Sequence, residues 1–251
     1  MIQLEDIRKS FDEREVLKGI SSVFETGKTN LIIGQSGSGK TVLLKCIIGL
    51  IDPDTGDIIY DDRTLSAMGK KERTILRSEM GMLFQGSALF DSMSIQENVL
   101  FPLRMFSPMS DNEKVKRAKY CLDRVGLKGS YHLFPSEVSG GMQKRSAIAR
   151  AIALNPKYLF CDEPNSGLDP LTSIRIDELI EDITNEYKMT TIINTHDMNS
   201  VLTMGEKIVF IYEGTKEWEG SKEDLFKSKN ERLNEFVFAS KILQNNLDSL
   251  K

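Results

Sequence analysis

One stretch of the chain has residue types suited to phosphate chemistry, and it runs Gly34, Gln35, Ser36, Gly37, Ser38, Gly39, Lys40, Thr41. This order matches the phosphate-binding pattern G-x-x-x-x-G-K-[ST]. The glycines let backbone N–H groups face a polyphosphate, while Lys40 bridges its β- and γ-phosphates and Thr41 offers a hydroxyl to Mg²⁺. A buried strand over 29–33 and a buried helix over 42–48 are predicted on either side, as the pattern requires.

Two carboxylates, Asp162 and Glu163, follow the apolar run from Tyr158 to Cys161, which is predicted to be a buried strand. Carboxylates at a strand end commonly cap the next helix. With a phosphate loop upstream, Asp162 can instead reach the metal through water, and Glu163 can act as the general base that polarises the attacking water. The combination favours an ATPase.

A second anion site is predicted where Ser139, Gly140 and Gly141 open a helix that extends to Leu154. Ser-Gly-Gly sequences also form linkers and ordinary helix caps. A helix N-terminus with exposed N–H groups, however, binds anions. Because this feature lies about a hundred residues beyond the phosphate loop, a head-to-tail pair of subunits could close each phosphate loop against the other's Ser-Gly-Gly helix.

Phe11 is a lone aromatic residue next to the charged segment Asp12 to Glu15, which precedes the phosphate loop. It could be a core residue at the end of a strand, or it could stack on the face of a nucleobase. The residue alone leaves both interpretations open.

Composition sets broad limits on the class of protein. The 251 residues are 40% hydrophobic and 28% charged, with a formal net charge of −4. This charge gives no bulk attraction to nucleic acid or anionic lipid.

The three cysteines, Cys46, Cys121 and Cys161, lack metal-ligand spacing and are predicted to be reduced core thiols of a cytosolic protein. No run approaches the ~20 apolar residues of a membrane span and no signal peptide is expected, so any membrane role requires a partner.

Strands alternating with helices predict an α/β protein with a mostly parallel sheet. We expect an ATP-binding core over 1–84 and 158–220, which is interrupted over 85–157 by a helical subdomain without strong strands. Residues 221–251 are predicted to be a helical C-terminal extension.

The order of these motifs resembles the ATP-binding subunit of an ATP-binding cassette (ABC) transporter, over nearly the whole chain. The matching pieces are the Walker A loop Gly34–Thr41, Gln85 in the Q-loop position, the signature Val138–Met142, Walker B Leu159–Glu163, the D-loop Ser166–Asp169 and His196 as switch histidine. The resemblance implies a P-loop NTPase core with an N-terminal antiparallel β subdomain. It also implies ATP and Mg²⁺ as cofactors.

The resemblance implies roles for individual residues as well. Phe11 would stack on adenine, and Gln85 would touch Mg²⁺ and the lytic water. The signature residues Ser139, Gly140 and Gly141 would bind the γ-phosphate held by the other subunit of a homodimer, with Asp169 at the dimer interface. His196 would hold the γ-phosphate. The ATPase would drive integral membrane permease subunits from the cytoplasmic face of the inner membrane.

One departure from the family pattern points to a branch. The signature usually ends in glutamine, and here it ends in Met142. A Ser-Gly-Gly-Met signature, together with the segments 82–90 and 97–104, is similar to the ATPase of Mla-type phospholipid transporters. These transporters are associated with MCE-domain lipid-binding proteins, so phospholipid is the expected cargo. The rival functions are an importer for a small polar solute, a non-transport ABC clamp on nucleic acid or ribosomes, and a nucleotide-binding module without turnover.

The C-terminal segment carries many apolar residues for a surface appendage, namely Phe226, Leu233, Phe236, Val237, Phe238, Ile242 and Leu243. We expect this segment to pack on its own core. The alternative is packing on a dimer partner.

Overall fold

The structure, a computed structural model, describes residues 1–238. Its strands are β1 (Ile2–Phe11), β2 (Arg14–Phe24), β3 (Thr29–Ile33), β4 (Thr55–Tyr60), β5 (Arg63–Thr64), β6 (Met80–Leu83), β7 (Tyr158–Asp162), β8 (Thr190–Thr195), β9 (Lys207–Tyr212) and β10 (Thr215–Gly220). Its helices are α1 (Lys40–Ile47), α2 (Lys70–Ser78), α3 (Ile95–Phe106), α4 (Asp111–Arg124), α5 (Gly140–Ala151), α6 (Pro170–Tyr187), α7 (Met198–Met204), α8 (Lys222–Leu225) and α9 (Glu231–Phe238).

The central sheet has six strands in the order β10-β9-β3-β8-β7-β6. All neighbouring pairs are parallel except β9 with β10, which form an antiparallel hairpin. Strands β3, β8 and β7 are almost wholly buried, as strands covered on both faces must be. Their carboxyl ends lie side by side, which is where ligands bind in open α/β sheets.

A second, antiparallel sheet of order β2-β1-β4-β5 covers one face of the central sheet. Helix α1 lies between the two sheets, because its Leu43 and Ile47 share a buried cluster with Ile20 of β2 and Phe160 of β7. This packing fixes the direction in which the N-terminus of α1 points. The predicted α/β fold, with an antiparallel N-terminal sheet and a mostly parallel central sheet, is confirmed.

Between residues 84 and 157 the described chain contains helices and no strand. Ser94 with Glu97 three residues on predicts a helix cap, and Ser94 does cap α3, since its hydroxyl accepts a hydrogen bond from the N–H of Glu97, whose carboxylate returns a bond to the N–H of Ser94. Helices α3, α4 and α5 share one hydrophobic core with the face of the central sheet that lies opposite α1. Val99, Leu122 and Ile148 are buried in this core. The domain boundaries at these positions stay a prediction.

The described part of the C-terminal segment packs on its own chain. Leu233 and Val237 are buried in the core that covers the central sheet, and the Phe236 ring centroid lies 5.4 Å from that of Phe210 on β9. Ile242 and Leu243 lie outside the described residues. The expected packing on its own core therefore holds for Leu233, Phe236, Val237 and Phe238, whereas Phe226 is exposed.

Several elements differ from the sequence-based expectation. The alternation from Ile2 to Ile7 predicts a strand there, but β1 runs on to Phe11 because it pairs with the whole of β2 through a two-residue turn. The residues from Met80 to Gln85 also predict a strand, but β6 ends at Leu83, where pairing with β7 stops. Within residues 1–238, no helix combines the length and apolar character that crossing a bilayer takes.

The hairpin turn between β9 and β10 offers a test of the packing beside the phosphate loop. Glu213 and Gly214 both have positive φ, and Gly214 donates to the carbonyl of Ser38 at 3.0 Å. A Cβ at Gly214 would lie 2.3 Å from the carbonyl oxygen of Val16. Gly129 has a nearly identical φ of +85°, but a Cβ there would meet open space among the described residues.

We expect Gly214→Ala to lower the free energy of unfolding by about 3 kcal/mol, because backbone strain and overpacking add. Gly129→Ala should lower it by about 1 kcal/mol, from backbone strain alone. Urea denaturation of both variants measures the difference. Equal losses of unfolding free energy in the two variants would show that the contact between this turn and Val16 of β2 is not tight.

Candidate nucleotide site

The phosphate loop connects the end of β3 to the start of α1, as predicted. Gly34, Gly37 and Gly39 have φ values of +151°, +80° and +106°, all in the region that favours glycine. A Cβ on Gly34 would lie 2.2 Å from the carbonyl oxygen of Ile211 on β9. The close approach of β9 therefore requires glycine at the first position of the loop.

Lys40 turns its side chain back into the loop that precedes it. The ammonium group donates to the carbonyl oxygens of Gly34 at 2.8 Å and Gln35 at 3.0 Å. The side chain is buried, and burial lowers the pKa of the Lys40 amine. Two neutral carbonyls solvate the positive charge without neutralising it, so the ammonium keeps its charge inside the concave loop.

Asp162 lies at the end of β7, directly beside the phosphate loop. Its Oδ1 is 3.4 Å from the Thr41 hydroxyl and accepts a hydrogen bond of 3.1 Å from the amide of Asn194. The parallel register pairs Asp162 with Asn194 across β7 and β8. A threonine hydroxyl and a carboxylate at this spacing are oxygen donors of the kind that Mg²⁺ prefers.

Glu163 and His196 form a close pair next to Asp162. The His196 Nδ1 and a Glu163 carboxylate oxygen are 2.8 Å apart, with the glutamate mostly buried and the histidine exposed. Glu163 has a left-handed backbone with φ of +49°, and its N–H donates to the carbonyl of Asn194 at 2.9 Å. A non-glycine residue held in this conformation is typical of functional sites, where surrounding contacts hold the strain.

Gln85 reaches the same edge of the sheet from the loop after β6. Its amide donates to the hydroxyl of Ser166 at 3.1 Å, three residues beyond Glu163. The carbonyl of Gln85 accepts a hydrogen bond from the ammonium of Lys144 on α5. Lys144 is buried, and burial lowers its pKa. The loop of Gln85 is thus tied both to the strand end of Glu163 and to the helix that begins at the signature.

Ser139, Gly140 and Gly141 open α5 as predicted, and the Ser139 hydroxyl accepts the N–H of Met142 at 3.3 Å. These residues lie at a different cavity from the phosphate loop. They line it together with Gly167, Leu168 and Asp169. Asp169 caps α6 by accepting the N–H of Thr172 at 3.0 Å, and this bond lowers the pKa of its carboxyl.

Phe11 is exposed at the end of β1, which excludes the interpretation of it as a core residue. The Lys9 ammonium lies 5.6 Å from the centroid of its ring. Beyond the β1–β2 turn, β2 contributes Arg14, Val16 and Lys18 to an open pocket that also contains the loop residues 35–38. The open ring of Phe11 is free to stack on a planar ligand.

Buried polar atoms also indicate that the loop is built for a ligand. The Ser38 hydroxyl is buried and has no hydrogen-bond partner within residues 1–238. Buried polar atoms without a partner are rare and costly, and a phosphate oxygen would accept from this hydroxyl. A glycine cradle, a solvated ammonium and an orphan hydroxyl together fit the triphosphate of ATP.

The fold and the site together define an ATP-hydrolysing protein of the P-loop class. A family model described as "ABC transporter" matches residues 17–166, which is more than half of the chain. The chain belongs to this family, as an ATP-binding subunit of an ABC transporter, and the expected family resemblance is confirmed.

Individual relatives agree with this assignment. The chain is 35% identical to the intermembrane phospholipid transport system ATP-binding protein MlaF of Haemophilus influenzae, over 94% of this chain and 90% of that protein. It is also 35% identical to the methionine import ATP-binding protein MetN of Campylobacter jejuni, over 97% of this chain and 77% of that protein. The dimeric post-hydrolysis structure of the ATP-binding cassette MJ0796 with ADP and Pi matches with a TM-score of 0.80 and 32% identity, over 88% of this chain and 99% of that chain.

Sequence reasoning missed three polar residues that organise the site. Asn194 contacts Asp162, Lys144 holds the loop of Gln85, and Arg150 on α5 donates to the carbonyls of Ser87 at 2.8 Å and Ala88 at 2.7 Å. The position of Asn194, directly after Ile192 and Ile193 near the end of β8, was a usable signal. The two cations gave no signal, because a lysine or arginine on a helix usually faces solvent.

Arg150 provides a test of how the loop after Gln85 is held. Ser87 and Ala88 both have left-handed backbones, and Arg150→Met would leave their carbonyls without this donor. We expect a loss of about 1–3 kcal/mol in unfolding free energy and faster proteolytic cleavage between residues 84 and 91. Arg145→Met is the matched control, since Arg145 donates to the carbonyls of Val125 and Gly126 instead. Cleavage at 84–91 that is equally fast in both variants would contradict the assignment.

Proposed function

We propose that this chain is the ATPase subunit of an ABC transporter that moves phospholipid between membranes. The single observation that carries the choice of cargo is the match to MlaF over nearly the full length of both proteins. The methionine in the signature, Met142, supports the same branch. The proposal includes integral membrane permease subunits and an MCE-domain lipid-binding protein as partners.

The proposed chemistry is hydrolysis of ATP by water, with Glu163 as general base. Glu163 is mostly buried and lies beyond the phosphate loop on the same sheet edge, so it can polarise a water aimed at the γ-phosphate. His196, already 2.8 Å from Glu163, would hold that phosphate. Lys40 would bind the β- and γ-phosphates, and Phe11 would stack on adenine.

Thr41, Asp162 and Gln85 would hold Mg²⁺. Their donors are a hydroxyl, a carboxylate and an amide, all oxygen ligands suited to this ion. When bound, Mg²⁺ would neutralise charge that develops on the phosphates. The task of the chain's own residues is to hold the nucleotide, orient water and exclude bulk solvent.

A homodimer would complete two such sites. In one chain, the signature residues Ser139, Gly140 and Gly141 line a cavity other than the one at the phosphate loop. A head-to-tail partner would place its helix N-terminus, with its free N–H groups, over the bound γ-phosphate. Asp169 would then lie at the interface. The dimeric form of MJ0796 bound to ADP and Pi supports this arrangement.

The permease would dock on the helical segment next to Gln85. Several large apolar side chains are exposed here, namely Phe84, Phe90, Met105, Phe106 and Met109. A cluster of this kind marks an interaction surface. Docking on a permease would place the chain at the cytoplasmic face of the inner membrane, as a peripheral subunit.

Import of a small polar solute is the second candidate, and the match to MetN favours it at the same identity. The ATPase chemistry would be unchanged. The partners would differ, because an importer of this type works with a solute-binding protein in place of an MCE-domain protein.

Glu163→Gln removes the proposed base while keeping the shape of the side chain. We expect hydrolysis to fall roughly 10²–10⁴-fold with ATP binding retained.

Lys40→Ala should instead weaken binding of a fluorescent ATP analogue, because it removes the ammonium that binds the phosphates. Glu178→Gln on α6 and Lys45→Ala on α1 serve as matched surface controls. Normal turnover by Glu163→Gln would refute its role as base, and unchanged affinity in Lys40→Ala would refute the role of the lysine.

Affinity purification of the chain from its native membranes, followed by mass spectrometry of proteins and lipids, tests the cargo. A permease with an MCE-domain protein and enriched phospholipid is the expected result, while a solute-binding protein would select the second candidate.

The same purification tests the docking surface. The Met105→Glu variant should no longer co-purify with the permease. Ile75→Glu, on a similarly exposed side chain of α2 (57% against 60%), should keep it. Co-purification of the permease with Met105→Glu would show that the docking surface does not include Met105.

A further inference from the structure

Three buried polar side chains form a closed ring behind the catalytic edge of the sheet. Asp177 on α6 accepts hydrogen bonds from the Asn165 amide at 2.7 Å and the Ser200 hydroxyl at 2.7 Å. The Asn165 amide also reaches the Ser200 hydroxyl at 3.0 Å. Asp177 and Ser200 are 3% and 1% exposed, and Asn165 is 9% exposed, so water contributes little to this ring.

The ring joins the two segments that carry the close pair of Glu163 and His196. Asn165 is two residues beyond Glu163, in the turn where Ser166 donates back to the Glu163 carbonyl at 3.1 Å. Ser200 is four residues beyond His196, on the first turn of α7. Asp177 belongs to neither segment. It is the shared acceptor through which α6 holds both of them.

We infer that Asp177 is a positioning residue for ATP hydrolysis, which sets the distance between Glu163 and His196 through Asn165 and Ser200. The backbone at Glu163 is in a strained left-handed conformation, and such strain persists only where surrounding contacts over-determine it. The ring holds the turn that follows Glu163, through Asn165, and the helix that follows His196, through Ser200. The inference rests on the proposed roles of Glu163 and His196.

A purely structural role would be served better by another residue. The buried positions of α6 around Asp177 are the apolar Ile176, Ile180 and Ile183 and the uncharged Ser173 and Thr184, so an apolar or uncharged side chain would suit that face. Burial raises the pKa of Asp177 to about 6, so the ionised carboxylate destabilises the folded chain at neutral pH. Retaining an acceptor at this cost is understandable if both loops must be held together.

Two substitutions at Asp177 separate positioning from packing. Asp177→Leu keeps the branched shape of the side chain but leaves Asn165 and Ser200 without their acceptor. Asp177→Asn keeps an acceptor for Asn165 and presents an amide that can donate to Ser200 once its hydroxyl rotates. Thr184→Val is the matched control, because Thr184 is equally buried on α6 and its hydroxyl bonds to Ile180 and Thr191, away from both loops.

Steady-state ATP hydrolysis by the full chain measures the effect. For Asp177→Leu we expect kcat to fall about tenfold, by analogy with other misplaced catalytic groups, with KM for ATP within twofold. Asp177→Asn should recover at least half of the original kcat, and Thr184→Val should not change it. Ser200→Ala, a smaller deletion, should lower kcat in the same direction. Combined with Asp177→Leu, it should add little, since both break one ring.

Three results would overturn the inference. The first is full kcat in both Asp177→Leu and Ser200→Ala. The second is an equal loss in Thr184→Val, which would show a general effect of core polar groups. The third is a loss in Asp177→Asn as large as in Asp177→Leu, which would assign the effect to charge. Glu163→Gln is measured in the same assay, so failure of the proposed base is seen separately from failure of the ring.

Discussion

Parallel pairing of three strands is the constraint on which the site depends. β3, β8 and β7 lie side by side in register, so that Ile33 is opposite Thr195 and Asp162 is opposite Asn194. A shift of one residue would turn each strand-end side chain to the other face of the sheet. The phosphate loop, the acidic pair and His196 come from distant parts of the chain, and this register places all three at one edge.

Cations that donate to backbone carbonyls are a repeated device around that edge. Lys40 donates to its own loop, while Lys144 and Arg150 of α5 donate to the loop that contains Gln85. A carbonyl solvates a cation without neutralising it, so positive charge stays available near an anionic ligand. Because α5 begins at the signature, these same bonds also tie the signature helix to the loop of Gln85.

Local sequence was sufficient wherever a structural rule depends only on neighbouring residues. The phosphate loop and its flanking strand and helix, the cap at Ser94 and the helix start at Ser139 all follow from residue types at fixed spacing. The end of β1 and the short extent of β6 did not follow, because pairing partners decide where a strand ends. Phe11 was ambiguous for the same kind of reason, since its exposure depends on how the β1–β2 turn sits on the rest of the chain.

The sequence by itself determined the class of protein, because six motifs in order carry the chemistry of nucleotide binding in their residue types. Only the tertiary structure decided which side chains contact one another. The pairing of Glu163 with His196, the contact of Asn194 with Asp162 and the ring around Asp177 join residues that are between 12 and 35 positions apart. The first two arise from the register of β7 and β8, and the third from the packing of α6 and α7 against the sheet. No spacing rule along the chain encodes them.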